Sequence, residues 1–279
     1  MPTPGLSLVG FMDQPQAINY FRTNCMPADI SDAALISEWN TAQAKLGAPV
    51  DAPGQPDIQP IPPADQAYIQ QLQQEPWIQQ ALAPYQGASF QAVEIEPLLA
   101  YQFHILTEHS DTHFADLKLG PSIADLLPIC LPQAPPQENI RISPQGQSFL
   151  IAADSLNFRI VAQGWFQAEN RVGIQFGIGL PFVHVSRWNG RCYLTNGFHR
   201  ALGARTRGAG RIPCLFRDVA TPEEIGIRSD GATFSSALLN SNDPPTLGHY
   251  TRDRAYDVAI RRVSRVLQVN WAEHALPLE

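Results

Sequence analysis

The sequence of 279 residues is poor in lysine and has no long apolar run. No stretch of 18 or more consecutive apolar residues occurs, whereas a membrane-spanning helix needs about 20. The first ten residues lack the basic segment and apolar stretch that mark a signal peptide. These absences predict a cytoplasmic protein with no membrane partner.

Cysteine is also scarce, and no two cysteines form a C-x-x-C pair. The four residues are far apart in the sequence: Cys25, Cys130, Cys192 and Cys214. Thiols of intracellular proteins usually stay reduced. We therefore expect reduced, buried thiols and no disulfide.

Charge is distributed unevenly along the chain. Residues 1–140 carry 3 basic and 15 acidic residues, whereas residues 141–279 carry 16 basic and 11 acidic residues. Both lysines, Lys45 and Lys118, lie in the first half, so every basic residue of the second half is arginine. The planar guanidinium group matches phosphate and carboxylate geometry. Two explanations stay open: the halves attract each other within one fold, or the basic half binds an anion.

Hydrophobic periodicity predicts an N-terminal helical region over residues 1–88, with the first 46 residues helical. Asp32 precedes an apolar-periodic run that ends at Gly47, which is typical of one helix. A second helical stripe covers residues 65–82, where Pro76 starts a new turn or kinks the helix. Between them, residues 48–64 contain six prolines and one glycine, which indicates an extended linker or a strap along the surface.

Residues 89–279 are predicted to form a second, mixed domain, so the fold class is α+β. A helix is expected at Ser122–Leu127, and the stretch before it is predicted to be weakly structured. A C-terminal amphipathic helix is predicted from Thr251 to Gln268, because five apolar residues share one helical face: Tyr256, Ala259, Ile260, Val263 and Leu267. Strand-like runs occur at residues 90–95, 140–142, 149–152, 158–161 and 172–176.

The segment Phe182–Phe216 has the most informative pattern. Two strand-like runs flank Asn189-Gly190, which is the strongest two-residue signal for a β-hairpin. Gly197 then interrupts the return strand. Apolar residues follow at helical spacing, and Ile212–Phe216 forms a further strand. The segment therefore predicts a hairpin, a glycine turn, a helix and a strand.

The glycine turn, Thr195-Asn-Gly-Phe-His-Arg200, has the chemistry of an anion site. The first N–H groups of a helix lack intrahelical partners and carry the positive end of its dipole, so an anion is stabilised there. His199 and Arg200 lie in the first turn and can donate to the same anion, while Gly197 would let a ligand approach the backbone. The alternative is that Gly197 is only a tight connection and that the two side chains are exposed polar residues.

The run VSRWNGRCYLTNGFHRALGARTRGAGRIPCLF resembles the core of the ParB/sulfiredoxin superfamily, whose members follow a hairpin with a Gly-x-His-Arg or Gly-x-x-Arg turn. The resemblance implies a mixed sheet with flanking helices that binds a nucleotide, ATP or CTP, with Mg²⁺. Asn196, Gly197, Phe198, His199 and Arg200 match the nucleotide-binding turn, and His199 is also a catalytic candidate.

A second match lies upstream of the turn. The run VEIEPLLAYQFHI resembles the first box of the superfamily, which implies that Glu94 or Glu96 approaches the nucleotide and positions substrate or Mg²⁺. The two boxes are separated by about 75 residues, so an insertion is implied at about residues 106–180. The domain of residues 89–279 would then be ParB/sulfiredoxin-like, and both a monomer and a homodimer are compatible with it.

Three departures from the superfamily narrow the function. Phe198 stands where sulfiredoxin has its cysteine, so thiol chemistry is not expected. Residues 219–279 contain no complete helix-turn-helix, which argues against chromosome partition. Asn196 replaces the acidic residue of the kinase-like members. The leading hypothesis is nucleotide binding with hydrolysis or phosphoryl transfer, and the alternatives are a nuclease or DNA-binding factor and a non-catalytic interaction protein.

A separate cluster of imidazoles and carboxylates lies within 13 residues: His104, His109, Asp111, His113 and Asp116. Such ligands suit zinc, iron or manganese. Their spacing matches no familiar metal motif, so a polar, solvated loop is favoured and no metal site is assigned.

Overall fold

The computed structural model describes residues 2–25, 30–47, 54–135, 140–153, 158–166, 171–227, 233–261 and 265–270. Two compact units are present: a larger unit of residues 1–133 and 182–262, and a smaller unit of residues 134–181 and 263–279. Helices and several sheets are both present, which confirms the α+β class. No helix in the described ranges is long and apolar enough to span a membrane.

The described residues form thirteen strands and eight α-helices. The strands are β1 (Thr3–Ser7), β2 (Ile58–Pro60), β3 (Ser89–Glu94), β4 (His104–Leu106), β5 (Ile140–Gln145), β6 (Ser148–Ala153), β7 (Phe158–Phe166), β8 (Arg171–Ile178), β9 (His184–Trp188), β10 (Arg191–Asn196), β11 (Arg211–Asp218), β12 (Tyr256–Ile260) and β13 (Arg265–Asn270). The helices are α1 (Gln14–Asn24), α2 (Asp32–Leu46), α3 (Gln66–Gln74), α4 (Pro76–Leu82), α5 (Thr107–Phe114), α6 (Ile123–Cys130), α7 (Phe198–Thr206) and α8 (Ser236–Leu239).

A mixed five-stranded sheet organises the larger unit, in the order β10-β9-β11-β3-β2. β9 and β10 form the predicted antiparallel hairpin, and β11 returns parallel to β9 after α7. The turn residues Asn189 and Gly190 have φ values of 49° and 75°, the left-handed conformation that a two-residue hairpin of this type requires. The predicted order of hairpin, helix and strand is confirmed.

Local sequence signals also fix three of the helices. The side chain of Ser31 caps α2, which ends at Gly47 with a φ of 78°. Pro76 begins α4, so it starts a new helix, one of the two outcomes predicted for it. Ser122 caps α6, and Asp125 completes the capping box.

The proline-rich segment contributes an edge strand in its described part. β2 pairs with β3, which supports the strap along the surface rather than an unattached linker. Residues 48–53 of the segment lie outside the described residues.

The predicted C-terminal helix is wrong. Tyr256–Ile260 forms β12, which pairs antiparallel with β1, and Arg265–Asn270 forms β13. Val258 and Ile260 are buried, whereas Asp257 before them is exposed and Ala259 between them is half-buried, so the period is two and not 3.6. Val263, which was placed on the helical face, lies outside the described residues.

Two further predictions are corrected in the larger unit. The first 46 residues are not all helical, because β1 occupies the centre of a three-stranded sheet with the order β12-β1-β4. The stretch before Ser122 is not weakly structured, since it contains β4 and α5. In both cases the backbone partners come from distant parts of the sequence.

The smaller unit contains the strands predicted between residues 140 and 178. β6 pairs with β5 on one side and with β13 on the other, and β7 and β8 form a hairpin. Its buried cluster consists of Ile151, Ala153 and Phe158. The glycine turn and its helix belong to the larger unit.

Ion pairs connect the acidic first half of the sequence with the basic second half. Arg205 Nε lies 2.6 Å from Glu96 Oε1, and Arg211 pairs with Asp57. These contacts support the explanation that the halves attract each other within one fold. They also assign a structural role to two of the arginines around α7.

The four cysteines are buried as free thiols, as predicted. Burial raises the pKa of Cys25 and of Cys192 to about 11. These thiols stay protonated at neutral pH, which makes them poor nucleophiles.

Candidate phosphate site at the start of α7

Gly197 connects β10 to α7 in a left-handed conformation with a φ of 87°. A Cβ at this position would lie 2.8 Å from Cγ2 of Val183, a contact that real side chains do not make. The direction that a side chain would take is therefore filled by Val183 and is not open to a ligand. The glycine is required by the turn and by its packing.

Asn196 and Phe198, on either side of Gly197, have structural contacts. The side-chain amide of Asn196 donates to the carbonyl oxygen of Phe182 at 2.8 Å, which ties the end of β10 to the residues before β9. Phe198 is 2% exposed, and its ring packs edge-on against Tyr101 with centroids 5.5 Å apart. Because its side chain lies in the core, Phe198 has only its backbone N–H to offer a ligand.

The first turn of α7 carries the groups that suit an anion. Gly197 provides no side-chain cap, so the first N–H groups of the helix have no capping side chain before them. His199 and Arg200 follow in the same turn, and both are half-buried. The turn therefore combines the positive end of a helix with one imidazole and one guanidinium group.

Helix α5 packs against α7 and places further histidines beside this turn. The ring centroids of His109 and His199 are 5.2 Å apart, with a tilt of 35° between the planes. The helices approach closely at Gly203, where a Cβ would collide with the ring of Phe114. His109 and His113 are exposed, so this side of the turn is open to solvent.

The electrostatics of the cluster are dominated by burial and by like charge. Burial lowers the pKa of His199 to about 3, and repulsion from the neighbouring basic groups His109, His104, His113 and Arg200 adds to the shift. The pKa of His113 is lowered by partial desolvation, and repulsion from Arg200 and His109 adds to this. Burial likewise lowers the pKa of Arg200. His199 is consequently a neutral imidazole at pH 7.

The structure does not bring Glu94 or Glu96 to this turn. Glu96 pairs with Arg205 in the last turn of α7, and nine helical residues span about 13 Å. Glu94 accepts a hydrogen bond from the backbone N–H of Asp57 at 3.1 Å and lies opposite Arg211 in the sheet. Both glutamates lie at the C-terminal end of the helix, whereas His199 and Arg200 lie at its start.

The two glutamates instead line a separate cavity of about 380 Å³. Asp243, His249 and Arg254 line the same cavity. The backbone N–H of Thr246 donates to Nδ1 of His249 at 3.0 Å, so the neutral ring carries its proton on Nε2. No sequence pattern pointed to His249, because its contacts depend on the chain folding back onto Glu96.

The residues near the start of α7 offer few ligands for a metal ion. Within the described ranges, no group of three or more histidine, cysteine or acidic side chains is arranged to hold a metal ion. His104 lies in β4 beside the ring of Tyr20, with centroids 5.8 Å apart, while Asp111 and Asp116 are exposed. The turn Gly197–Arg200 contains no carboxylate, so Mg²⁺ at this end would have to be held mainly by phosphates and water.

Sequence patterns gave no sign that His109 and His113 of α5 lie beside the glycine turn. They are about 90 residues from His199, and their segment was not predicted to be helical. Comparison of the chain with protein-family models, with curated proteins and with solved structures finds no match.

Proposed function

We propose that the protein binds a phosphate-bearing ligand at the first turn of α7, and that this ligand is a nucleotide such as ATP or CTP. One observation carries the proposal: the turn places helix N–H groups, His199 and Arg200 together beside a solvent-open face. Phosphate is favoured at such a helix start because N–H groups and the dipole both stabilise negative charge.

The choice of a nucleotide rests on the resemblance of the Gly-x-His-Arg turn to nucleotide-binding turns. An arginine in this position can donate two hydrogen bonds to one phosphate. Val183 fills the space beside Gly197, so the ligand would reach the turn from the side of His199 and α5. The nucleotide-binding role is thereby limited to His199, Arg200 and the backbone.

Hydrolysis and phosphoryl transfer receive less support than binding. Catalysis of this kind depends on positioned charges around the phosphates and usually on Mg²⁺. Glu94 and Glu96, the acidic groups predicted for that role, contact residues at the other end of α7. We therefore place nucleotide binding ahead of a phosphotransferase or hydrolase activity.

Replacing Arg200 with alanine is expected to weaken nucleotide binding by roughly 10- to 100-fold. Removing one charged hydrogen-bonding group costs about 1.5–3 kcal/mol, and each 1.4 kcal/mol is about tenfold in Kd. Titration calorimetry with ATP, CTP and ADP, with and without Mg²⁺, measures the effect.

Arg22→Ala is the matched control, because it removes the same charge from α1, where Arg22 pairs with the exposed Asp32. The control should bind nucleotide as the wild type does. The proposal is wrong if the wild type binds none of the three nucleotides, or if Arg200→Ala binds as tightly as the wild type while remaining folded.

A further inference from the structure

We propose that His109 and His113 of α5 complete the phosphate site together with His199, and that ligand binding at this site takes up protons. This inference rests on the proposed function, since it concerns the same site. It adds to the site a second set of side chains from a different part of the chain, and it makes the affinity for the ligand depend on pH.

The geometry places these imidazoles on one side of the turn. His109 and His113 are four residues apart in α5, so they lie on the same face of that helix. His109 lies over His199, with ring centroids 5.2 Å apart. Both α5 histidines are exposed, so a phosphate from solvent can reach them and the first turn of α7 together.

The groups that act on His199 come from three elements. They are His109 and His113 of α5, His104 of β4 and Arg200 of α7 itself. Two carboxylates on α5, Glu108 and Asp111, are exposed and are not among the charges acting on His199. From α6, the Cys130 thiol lies near Arg200, and burial raises its pKa to about 12, so it adds no negative charge at neutral pH.

Protonation of the cluster is therefore opposed by like charge. Burial disfavours the charged imidazoles, and repulsion from Arg200 and from the other imidazoles adds to this, so the pKa values of His199 and His113 are lowered. A bound phosphate supplies the missing negative charge and favours the charged form of its neighbours. The bound state then holds more protons than the free state, so affinity must rise as the pH falls.

Calorimetry of ATP binding to the full chain tests the inference. Titrations are run at pH 7.5, 6.5 and 5.5, and at each pH in two buffers with different heats of ionisation. The heat difference between the buffers counts the protons taken up. Uptake of one proton predicts a rise in affinity of about tenfold per pH unit.

The double variant His109→Gln/His113→Gln separates the histidines from the ionisation of ATP itself. It is expected to bind more weakly at pH 6.5 and to lose most of the proton uptake, while the wild type retains it. If the double variant fails to fold, the single variants His109→Gln and His113→Gln make the same comparison one histidine at a time.

Three outcomes are distinguishable. Proton uptake that disappears in the double variant supports the inference. Binding of ATP with no proton uptake, or with uptake unchanged in the variant, overturns it and leaves the proposed function intact. Absence of ATP binding at every pH overturns both.

Discussion

Lowering the pH from 6.5 to 5 is expected to destabilise the larger unit by about 3 kcal/mol. Burial lowers the pKa of His104 to about 4, and burial together with repulsion from the neighbouring basic groups lowers that of His199 to about 3. A histidine that is neutral when folded and charged when unfolded costs about 1.4 kcal/mol of stability per pH unit in this window. Urea unfolding at pH 7, 6 and 5 in phosphate-free buffer measures the loss.

The sign follows from which state binds the proton. Both pKa values lie below the ordinary value of 6.5 for histidine, so the unfolded chain takes up protons first. Stability is therefore greatest above pH 6.5 and falls towards the folded-state values. His199→Gln should reduce the change in the free energy of unfolding by about 1.4 kcal/mol per pH unit, which is the contribution of one proton. A free energy of unfolding that stays constant between pH 6.5 and 5 would contradict the environments assigned to both histidines.

Replacing Gly197 with alanine is expected to lower the free energy of unfolding by about 2–5 kcal/mol. A left-handed residue with a Cβ costs about 1–2 kcal/mol, and overpacking costs a further 1–3 kcal/mol. The overpacking arises because the new methyl group would lie 2.8 Å from Val183. Chemical denaturation of the larger unit gives the value.

Gly190→Ala is the control for backbone strain alone. Gly190 is also left-handed, with a φ of 75°, but the nearest atom to its added Cβ is a flexible glutamine side chain at 3.7 Å. It should cost only the strain of about 1–2 kcal/mol. Equal losses for the two variants would show that Val183 does not confine Gly197.

The segment around α7 could be predicted from the sequence because its signals are local. Asn189-Gly190 specifies the hairpin turn, and Gly197 supplies the left-handed residue before the helix. The residues that determine each element lie within or beside it. Such patterns can be recognised without knowing what packs against them.

The C-terminal segment was mispredicted because its pattern fits two periods. Tyr256 and Ile260 are four residues apart, which suits a helix face, but with Val258 they also alternate as a strand does. The segment forms a strand because Tyr256–Ile260 pairs with β1, which lies at the other end of the sequence. A partner about 250 residues away leaves no local signal.

The sequence predicted the turn at Gly197 but wrongly placed Glu94 and Glu96 beside it, and the cause is the order of the strands in the sheet. β3 runs antiparallel to β11, so Glu94 at its end lies opposite Arg211 at the start of β11. β11 follows the end of α7, and Glu96 accordingly meets Arg205 there. Strand pairing thus carries the glutamates away from His199. The approach of His109 to His199 depends on α5 packing over Gly203, which the sequence alone does not reveal.

The most direct test of phosphate binding at the start of α7 is a backbone amide NMR titration of the protein with ATP. We expect the largest shifts at Phe198, His199 and Arg200, followed by the α5 residues around His109. Shifts centred on Glu96 and His249, at the other end of the helix, or no shifts at all, would contradict this expectation.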